Sequence, residues 1–370
     1  MIYLDNAATT YPKPPSVIEK LNSCLYDACG NPGRSGHRLS IMASEEIYSA
    51  REAVSDLLCH DKPETVVFTY NATHAINLAL KSYITEPCHV ICSDIEHNSV
   101  IRPLEAMCGT IGINYSIYST DGDIRENIHQ LIRKDTRCII STLASNVTGR
   151  EIDIGILSEL SAKHRIYLIL DASQAIGHID ISLKNNPCDV LVAPSHKGLF
   201  GIQGSGFAVF KSERRHASFI EGGSGSDSKN TGMPNLLPEG YEAGTPSTPA
   251  IATLTEGIRF IREIGMEEIN HKLKLLTNEA ASAINGVSGA TVYAAGNGIV
   301  TFNLGRCSPS YVTRELDKAG ICVRDGLHCA PSAHVKLGTS DRGAVRVSFS
   351  CLNTTDDIYY LTKALRNIQK

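Results

Sequence analysis

The chain lacks most of what would mark a protein for export, for a membrane or for nucleic acid. Its start, Met-Ile-Tyr-Leu-Asp-Asn, has no positive charge, no apolar stretch and no cleavage site, the parts that make up a secretory signal. No run reaches roughly 18 apolar residues, the length a spanning helix needs. Lys plus Arg number 35 against 39 Asp plus Glu, for a net charge of −4, and they are spread along the chain. No basic stripe is therefore available to follow a phosphate backbone. These absences predict a soluble, cytoplasmic protein that binds neither nucleic acid nor membrane. The 12 cysteines include no C-x-x-C pair, and most sit in apolar runs such as RCIIST around Cys138. Reduced core thiols are expected rather than disulfides. Internal repeats and low-complexity tracts are also missing.

What the chain does contain is alternation. At 370 residues it has room for one large domain and a smaller companion. TVVFTY (65–70), HVICSD (89–94), RCIIST (137–142), IYLILD (166–171) and DVLVAPS (189–195) are short apolar runs bounded by polar or turn residues, as strands buried on both faces are. Segments of helical spacing separate them, among them THAINLALKSYI from Thr73 and IGILSELSAKH over 154–164. Such βαβ order predicts an α/β fold with a mostly parallel sheet covered by helices. An earlier helix begins near Ser40 and closes by Cys59. Between Gly222 and Pro249 the composition turns to Gly, Ser, Pro, Asn and Thr, which reads as a long functional loop. Helices from about Pro249, over 266–284, over 309–319 and from Thr355, with strands at GIVTFNL (298–304) and AVRVSFS (344–350), then read as α+β. We expect a large domain over 15–250 and a small domain built from 1–14 plus 251–370.

In an open α/β sheet, ligands bind beyond the carboxyl ends of the strands. Two successive strand-like runs end there in Asp171 and in Ser195-His196-Lys197, the second followed by the Gly-rich GLFGIQGSG. Pyridoxal 5'-phosphate (PLP) demands such a pair: a lysine to form an imine with its aldehyde, and a carboxylate to keep its pyridine nitrogen protonated. Alone, Asp171 fits a helix cap and Lys197 a solvated loop lysine; their joint placement favours the cofactor. TVVFTY leads into Asn71-Ala72-Thr73-His74, whose amides open a helix and suit a phosphate, although an ordinary cap uses the same groups. His196 is placed to add a contact. HVICSD leads to His97, suited to lie on a pyridine face or to a structural role, and RCIIST leads to Asn146, whose amide can donate to a ring oxygen. Cys329 sits in RDGLHCAP, a polar, turn-rich stretch unlike the setting of most other cysteines. Exposure is expected there, with His328 and Arg324 favouring the thiolate. His328, Cys329 and His334 are also three metal-type ligands within seven residues, but no second Cys/His cluster completes a tetrahedral set, so no metal is expected.

At this point the chain resembles, over essentially its whole length, the class V aminotransferase-like PLP enzymes, and within them the cysteine desulfurases and selenocysteine lyases. The resemblance is carried by YLDNAATT (3–10), NPGRSGHRLS (31–40), NATHAIN, EHNS around His97, SNVTG around Asn146, DASQAIG around Asp171 and Gln174, and the His196-Lys197 pair. It continues through EAGTPSTPAI (242–251), RDGLHCAP (324–331) and VRVSFSCLNT (345–354). It implies the aspartate aminotransferase-like fold of fold type I. By the same resemblance, Lys197 holds PLP, His97 stacks on it as a catalytic partner, Asn146 touches its ring oxygen, and Asp171 and Gln174 tune its ring. Ala72, Thr73 and His196 belong to the phosphate site. Thr245 reaches the phosphate of a neighbouring subunit, which implies a homodimer with shared active sites. Arg324 and Arg346 clamp the substrate carboxylate, as a planar guanidinium fork does well.

The implied reaction takes sulfur from L-cysteine, leaving L-alanine and a persulfide on Cys329 for delivery to a sulfur-acceptor protein. The short HCAP segment is similar to that of the compact-loop, second group of desulfurases. Alternatives are a selenocysteine lyase acting on L-selenocysteine, another class V enzyme (aminotransferase, racemase or β-lyase), and a PLP-binding protein without turnover. The chain departs from the family pattern at Pro194, where a phosphate-binding Ser is usual and Ser195 follows one place late, and at Gln203, where Pro is common.

Overall fold

The structure, a computed structural model, describes residues 1–33, 35–225 and 229–368. Arg34 of NPGRSGHRLS and residues 226–228 of the long Gly/Ser loop lie outside the described residues. The chain opens with a short strand, β1 (Ile2–Tyr3), and two helices, α1 (Pro15–Asp27) and α2 (Arg38–Leu57). The alternating part follows: β2 (Val66–Thr69), α3 (Ala72–Tyr83), β3 (His89–Ser93), α4 (Asn98–Thr110), β4 (Asn114–Tyr118), α5 (Ile124–His129), β5 (Thr136–Thr142), α6 (Ile154–His164), β6 (Tyr167–Asp171), β7 (Val190–Pro194) and β8 (Gly206–Phe210). The remainder is α7 (Thr248–Ile264), α8 (Met266–Asn285), β9 (Ala290–Gly296), β10 (Ile299–Leu304), α9 (Pro309–Lys318), β11 (Ile321–Cys322), β12 (Arg324–Gly326), α10 (Pro331–Lys336), β13 (Ala344–Ser348) and α11 (Thr355–Ile368).

Seven strands form the main sheet in the order β2-β8-β7-β6-β5-β3-β4. Only β8 runs against its neighbours; the β6 pairings with β5 and β7, and those of β3 with β5 and β4, are parallel. The five apolar runs read from the sequence are five of these strands, and β2, β3, β6 and β7 are buried at every position save Tyr167, as helices on both faces require. Two strands escape a reading by apolar runs. β4, Asn-Tyr-Ser-Ile-Tyr, is the sheet edge and only its last residue is buried; β8 begins inside the Gly-rich segment after Lys197. A second sheet, β12-β13-β10-β9, is antiparallel, and β1 pairs with β11 at the far end of the chain. Of the cysteines, 24, 88, 92, 138, 188 and 351 are buried, but Cys29, Cys59 and Cys329 are exposed and the rest half-buried; all are free thiols.

Candidate active site

The strands of the main sheet that run in one direction end at a common edge, and a cleft of about 540 Å³ opens there. Each of five strands delivers residues to it: Asn71, Ala72 and Thr73 after β2, His97 after β3, Asn146 after β5, Asp171 and Gln174 at the end of β6, and Pro194, His196 and Lys197 at the end of β7. Local structure fixes several of these. Asn71 caps α3, its side chain accepting from the His74 N–H at 2.9 Å, which leaves the amides of the first turn directed at the cleft. His97 caps α4 in the same way: its Nδ1 accepts from the Ser99 N–H at 3.0 Å, so its ring proton is assigned to Nε2. Ser99 Oγ lies 2.9 Å from Thr73 Oγ1 and 2.7 Å from His97 Nδ1, joining the two helix starts. The Lys197 turn is backed by the N-terminal motif, where Thr10 Oγ1 donates to the Lys197 carbonyl at 2.8 Å and Thr10 N–H to that of His196 at 3.0 Å.

Burial sets the charges. It pushes the Lys197 ammonium down to about 8, opposed by Asp171 and helped by Arg346 and Arg324, so a free amine is accessible near neutrality. His97 is pushed to about 4 by burial, against the pull of Asp171; His196 falls to about 4 through burial, with Lys197 and Lys13 adding to it. Both imidazoles are neutral. His328 is driven to about 2 by burial and then Arg346, so it brings no positive charge to Cys329. That task falls to Arg324, whose Nη2 lies 3.8 Å from Cys329 Sγ.

The eight cleft residues expected from sequence, Ala72, Thr73, His97, Asn146, Asp171, Gln174, His196 and Lys197, come together. Cys329 is exposed in an adjoining groove that shares Thr73, His97 and Ser99 with the cleft. Arg324 and Arg346 face each other across the β12–β13 pairing. Arg346 is wholly buried and paired with Asp5 at 2.7 Å, and it donates to the Asn146 carbonyl at 3.0 Å, while its Nε has no partner among the described residues. The Asn146 amide donates to the His328 carbonyl at 2.7 Å, tying the cleft to the Cys329 segment. Thr245 does not line this cleft; it is exposed in another one with Tyr70, His74 and Ile220. Ser195 is buried and accepts from Ser205 at 2.8 Å, leaving Pro194 on the cleft wall; Gln203 reaches Thr9 at 3.2 Å. Asp5 and Ser99 were overlooked as single residues, although both lie within YLDNAATT and EHNS.

These residues fit PLP. Lys197 forms no ion pair or hydrogen bond through its Nζ among the described residues, and His196 keeps a buried Nδ1 without a partner. Asp171 has one carboxylate oxygen engaged by the Ser173 N–H at 2.9 Å, which leaves the other for a ring nitrogen. An open parallel sheet with a lysine and a carboxylate at one edge is the layout of a fold type I PLP enzyme. The family model for class V aminotransferases matches residues 2–361, and the chain belongs to that family. Among its relatives, a probable cysteine desulfurase of Halalkalibacterium halodurans is 30% identical over 100% of this chain and 93% of its own. A cysteine desulfurase of Klebsiella pneumoniae is 28% identical over 100% and 94%. The apo structure of a cysteine desulfurase from Thermococcus onnurineus superposes with a TM-score of 0.89 at 25% identity, covering 99% of this chain and 94% of that one.

Proposed function

We propose that this chain is a PLP-dependent cysteine desulfurase, converting L-cysteine and the Cys329 thiol into L-alanine and a Cys329 persulfide. The observation that carries the reading is an exposed cysteine with a guanidinium 3.8 Å from its sulfur, on a rim that shares His97 with the lysine-bearing cleft. Lys197 would carry the cofactor, Ala72, Thr73 and His196 would hold its phosphate, and His97, Asn146, Asp171 and Gln174 would hold its ring, all eight lining the one cleft. When bound, the cofactor supplies an electron sink for negative charge at the substrate Cα. Lys197 Nζ, poised near neutrality, takes and returns the Cα proton. Arg346 and Arg324 together supply the positive charge that attracts the substrate carboxylate, Arg346 from its buried place beside Asp5. Cys329 Sγ then bonds the substrate sulfur as the Cβ–S bond breaks; the bonding electron pair stays with Cβ and is protonated, giving alanine.

Thr245 lies away from its own chain's cleft, which supports a homodimer in which each copy completes the other's phosphate site; the persulfide is then passed to a sulfur-acceptor protein. Holoenzyme incubated with L-cysteine is expected to release alanine and to carry one extra sulfur on Cys329 by mass spectrometry. Cys329→Ala is expected to keep the cofactor absorbance and lose alanine formation to background, while Lys197→Ala loses the lysine-bound absorbance. Extra sulfur on another cysteine would overturn the nucleophile, and selenide release from L-selenocysteine by Cys329→Ala would favour a selenocysteine lyase.

A further inference from the structure

Beyond the cleft, the Cys329 segment is held by a chain of buried groups that the proposed reaction does not use. His328 and Cys329 both adopt the left-handed backbone, with φ of 51° and 56°, a conformation that non-glycine residues keep only when their surroundings enforce it. Their carbonyls are each caught by the large sheet's loops: Asn146 Nδ2 donates to the His328 oxygen at 2.7 Å, and the first N–H of α4, from Asn98, donates to the Cys329 oxygen at 2.7 Å. Behind them, His328 Nδ1 is 3.1 Å from His334 Nε2, and His334 Nδ1 is 2.8 Å from Thr339 Oγ1. Both imidazoles are buried, with rings 18° from parallel. His328 Nε2 faces the Arg324 carbonyl at 3.4 Å.

With both rings neutral, one polarity satisfies every ring contact, the Thr339 hydroxyl giving up its 3.4 Å contact with the His334 carbonyl, which keeps the Thr339 N–H at 2.9 Å. A carbonyl only accepts, so His328 Nε2 bears a proton and His328 Nδ1 accepts. His334 Nε2 must then donate, and its Nδ1 accepts from the Thr339 hydroxyl. The chain of bonds ends on the backbone of Arg324, the residue whose guanidinium stands beside Cys329 Sγ. Thr339, His334, His328 and Arg324 thus close a loop around the nucleophile, fixing the sulfur and its cation relative to each other. The ring nitrogens of the two histidines are spent on each other and on Thr339 and Arg324, which gives them a purpose other than metal binding.

We infer that His334 is a positioning residue: through His328 it fixes the left-handed turn that presents Cys329 together with Arg324. The inference rests on Cys329 being the nucleophile, and its test separates the two. The measurement is the rate at which iodoacetamide alkylates each exposed cysteine of the holoenzyme, read by mass spectrometry, beside kcat and KM for alanine formation from L-cysteine. His334→Phe keeps a buried ring but breaks both bonds. It is expected to change the Cys329 alkylation rate while Cys29 and Cys59 keep theirs, and to lower kcat by roughly 10- to 100-fold, as a misplaced reacting group does, with KM and cofactor absorbance unchanged. Thr339→Val, which removes the terminal donor alone, is expected to shift both in the same direction by less, and it carries the test if His334→Phe fails to fold. His334→Gln, which retains a donor toward His328, is expected to recover most of kcat. A wild-type Cys329 alkylation rate and kcat in His334→Phe or, if that variant does not fold, in Thr339→Val overturns the inference, as does a loss confined to KM. Persulfide formation surviving in Cys329→Ser would instead sink the nucleophile assignment, and the alkylation rates would still judge His334.

Discussion

Glu96, beside His97 in the chain, carries a wholly buried carboxyl that accepts from the Thr142 N–H at 2.9 Å and from the Ser93 hydroxyl, its second oxygen without a partner among the described residues. Burial, reinforced by Asp171 and opposed by those hydrogen bonds, raises it from 4.5 to about 8. The folded chain therefore holds a proton there that the unfolded chain releases at ordinary acidity. Stability from this group is full below about 4.5, declines as pH rises toward about 8, and levels off above that. Glu96→Gln, which cannot ionise, is expected to gain in urea midpoint relative to the parent between about pH 5 and about pH 9; parallel pH dependence of the two chains would refute it. Legibility at this scale was uneven. The meeting of Lys197 and Asp171 in one cleft was readable because they follow the carboxyl ends of neighbouring parallel strands. The Asp5–Arg346 pair was not: its residues are 341 positions apart, and no local pattern announces such a partner. Neither could the sequence tell that burial would strip His328 of the charge expected of it.

At the scale of elements, the parallel strands were legible because each is buried on both faces and so reads as an unbroken apolar run. β4 and β8 were not, for opposite reasons: one is a half-polar edge and the other is disguised by the glycines before it. Those glycines and their neighbours have a steric purpose. The turn after β6 and the turn bearing Lys197 meet at Gly177 and Gly198, where a Cβ on Gly198 would lie 2.2 Å from the Ile176 carbonyl oxygen, and one on Gly177 would lie 2.3 Å from that of Gly198. Gly177 also has φ of 79°, where a side chain is strained. The contact sets Lys197 against the strand that carries Asp171. Gly198→Ala is expected to destabilise the chain by about 1–3 kcal/mol, as overpacking does, and to weaken cofactor retention, seen as loss of the lysine-bound absorbance on dialysis. Unchanged stability and retention would mean that the two turns separate freely.

For the molecule as a whole, the two ends of the chain converge on the site: β1 pairs with β11, and Asp5 holds Arg346. One expected member, Thr245, remains outside. It stands exposed beside Tyr70 and Ile220, which are 56% and 43% exposed, and Tyr48, 53% exposed, lines the neighbouring groove with Gly244 and Pro246. Clustered exposed apolar side chains mark surfaces that another protein covers. A two-fold dimer presents the same patch on both copies, so a loop at its edge can reach across into the partner's cleft. The full chain is therefore expected to sediment as a dimer, and Thr245→Val to raise the dissociation constant for PLP although Thr245 touches no part of its own cleft. Losing one hydrogen bond to a charged phosphate corresponds to about 1.5–3 kcal/mol, or roughly 10- to 150-fold in affinity. Titrating the apoprotein with PLP above and below the dimer's dissociation concentration checks the link between assembly and binding. If the second copy supplies Thr245, the parent's affinity falls on dilution toward that of the variant; a monomer with undiminished affinity would assign the phosphate site to one chain alone.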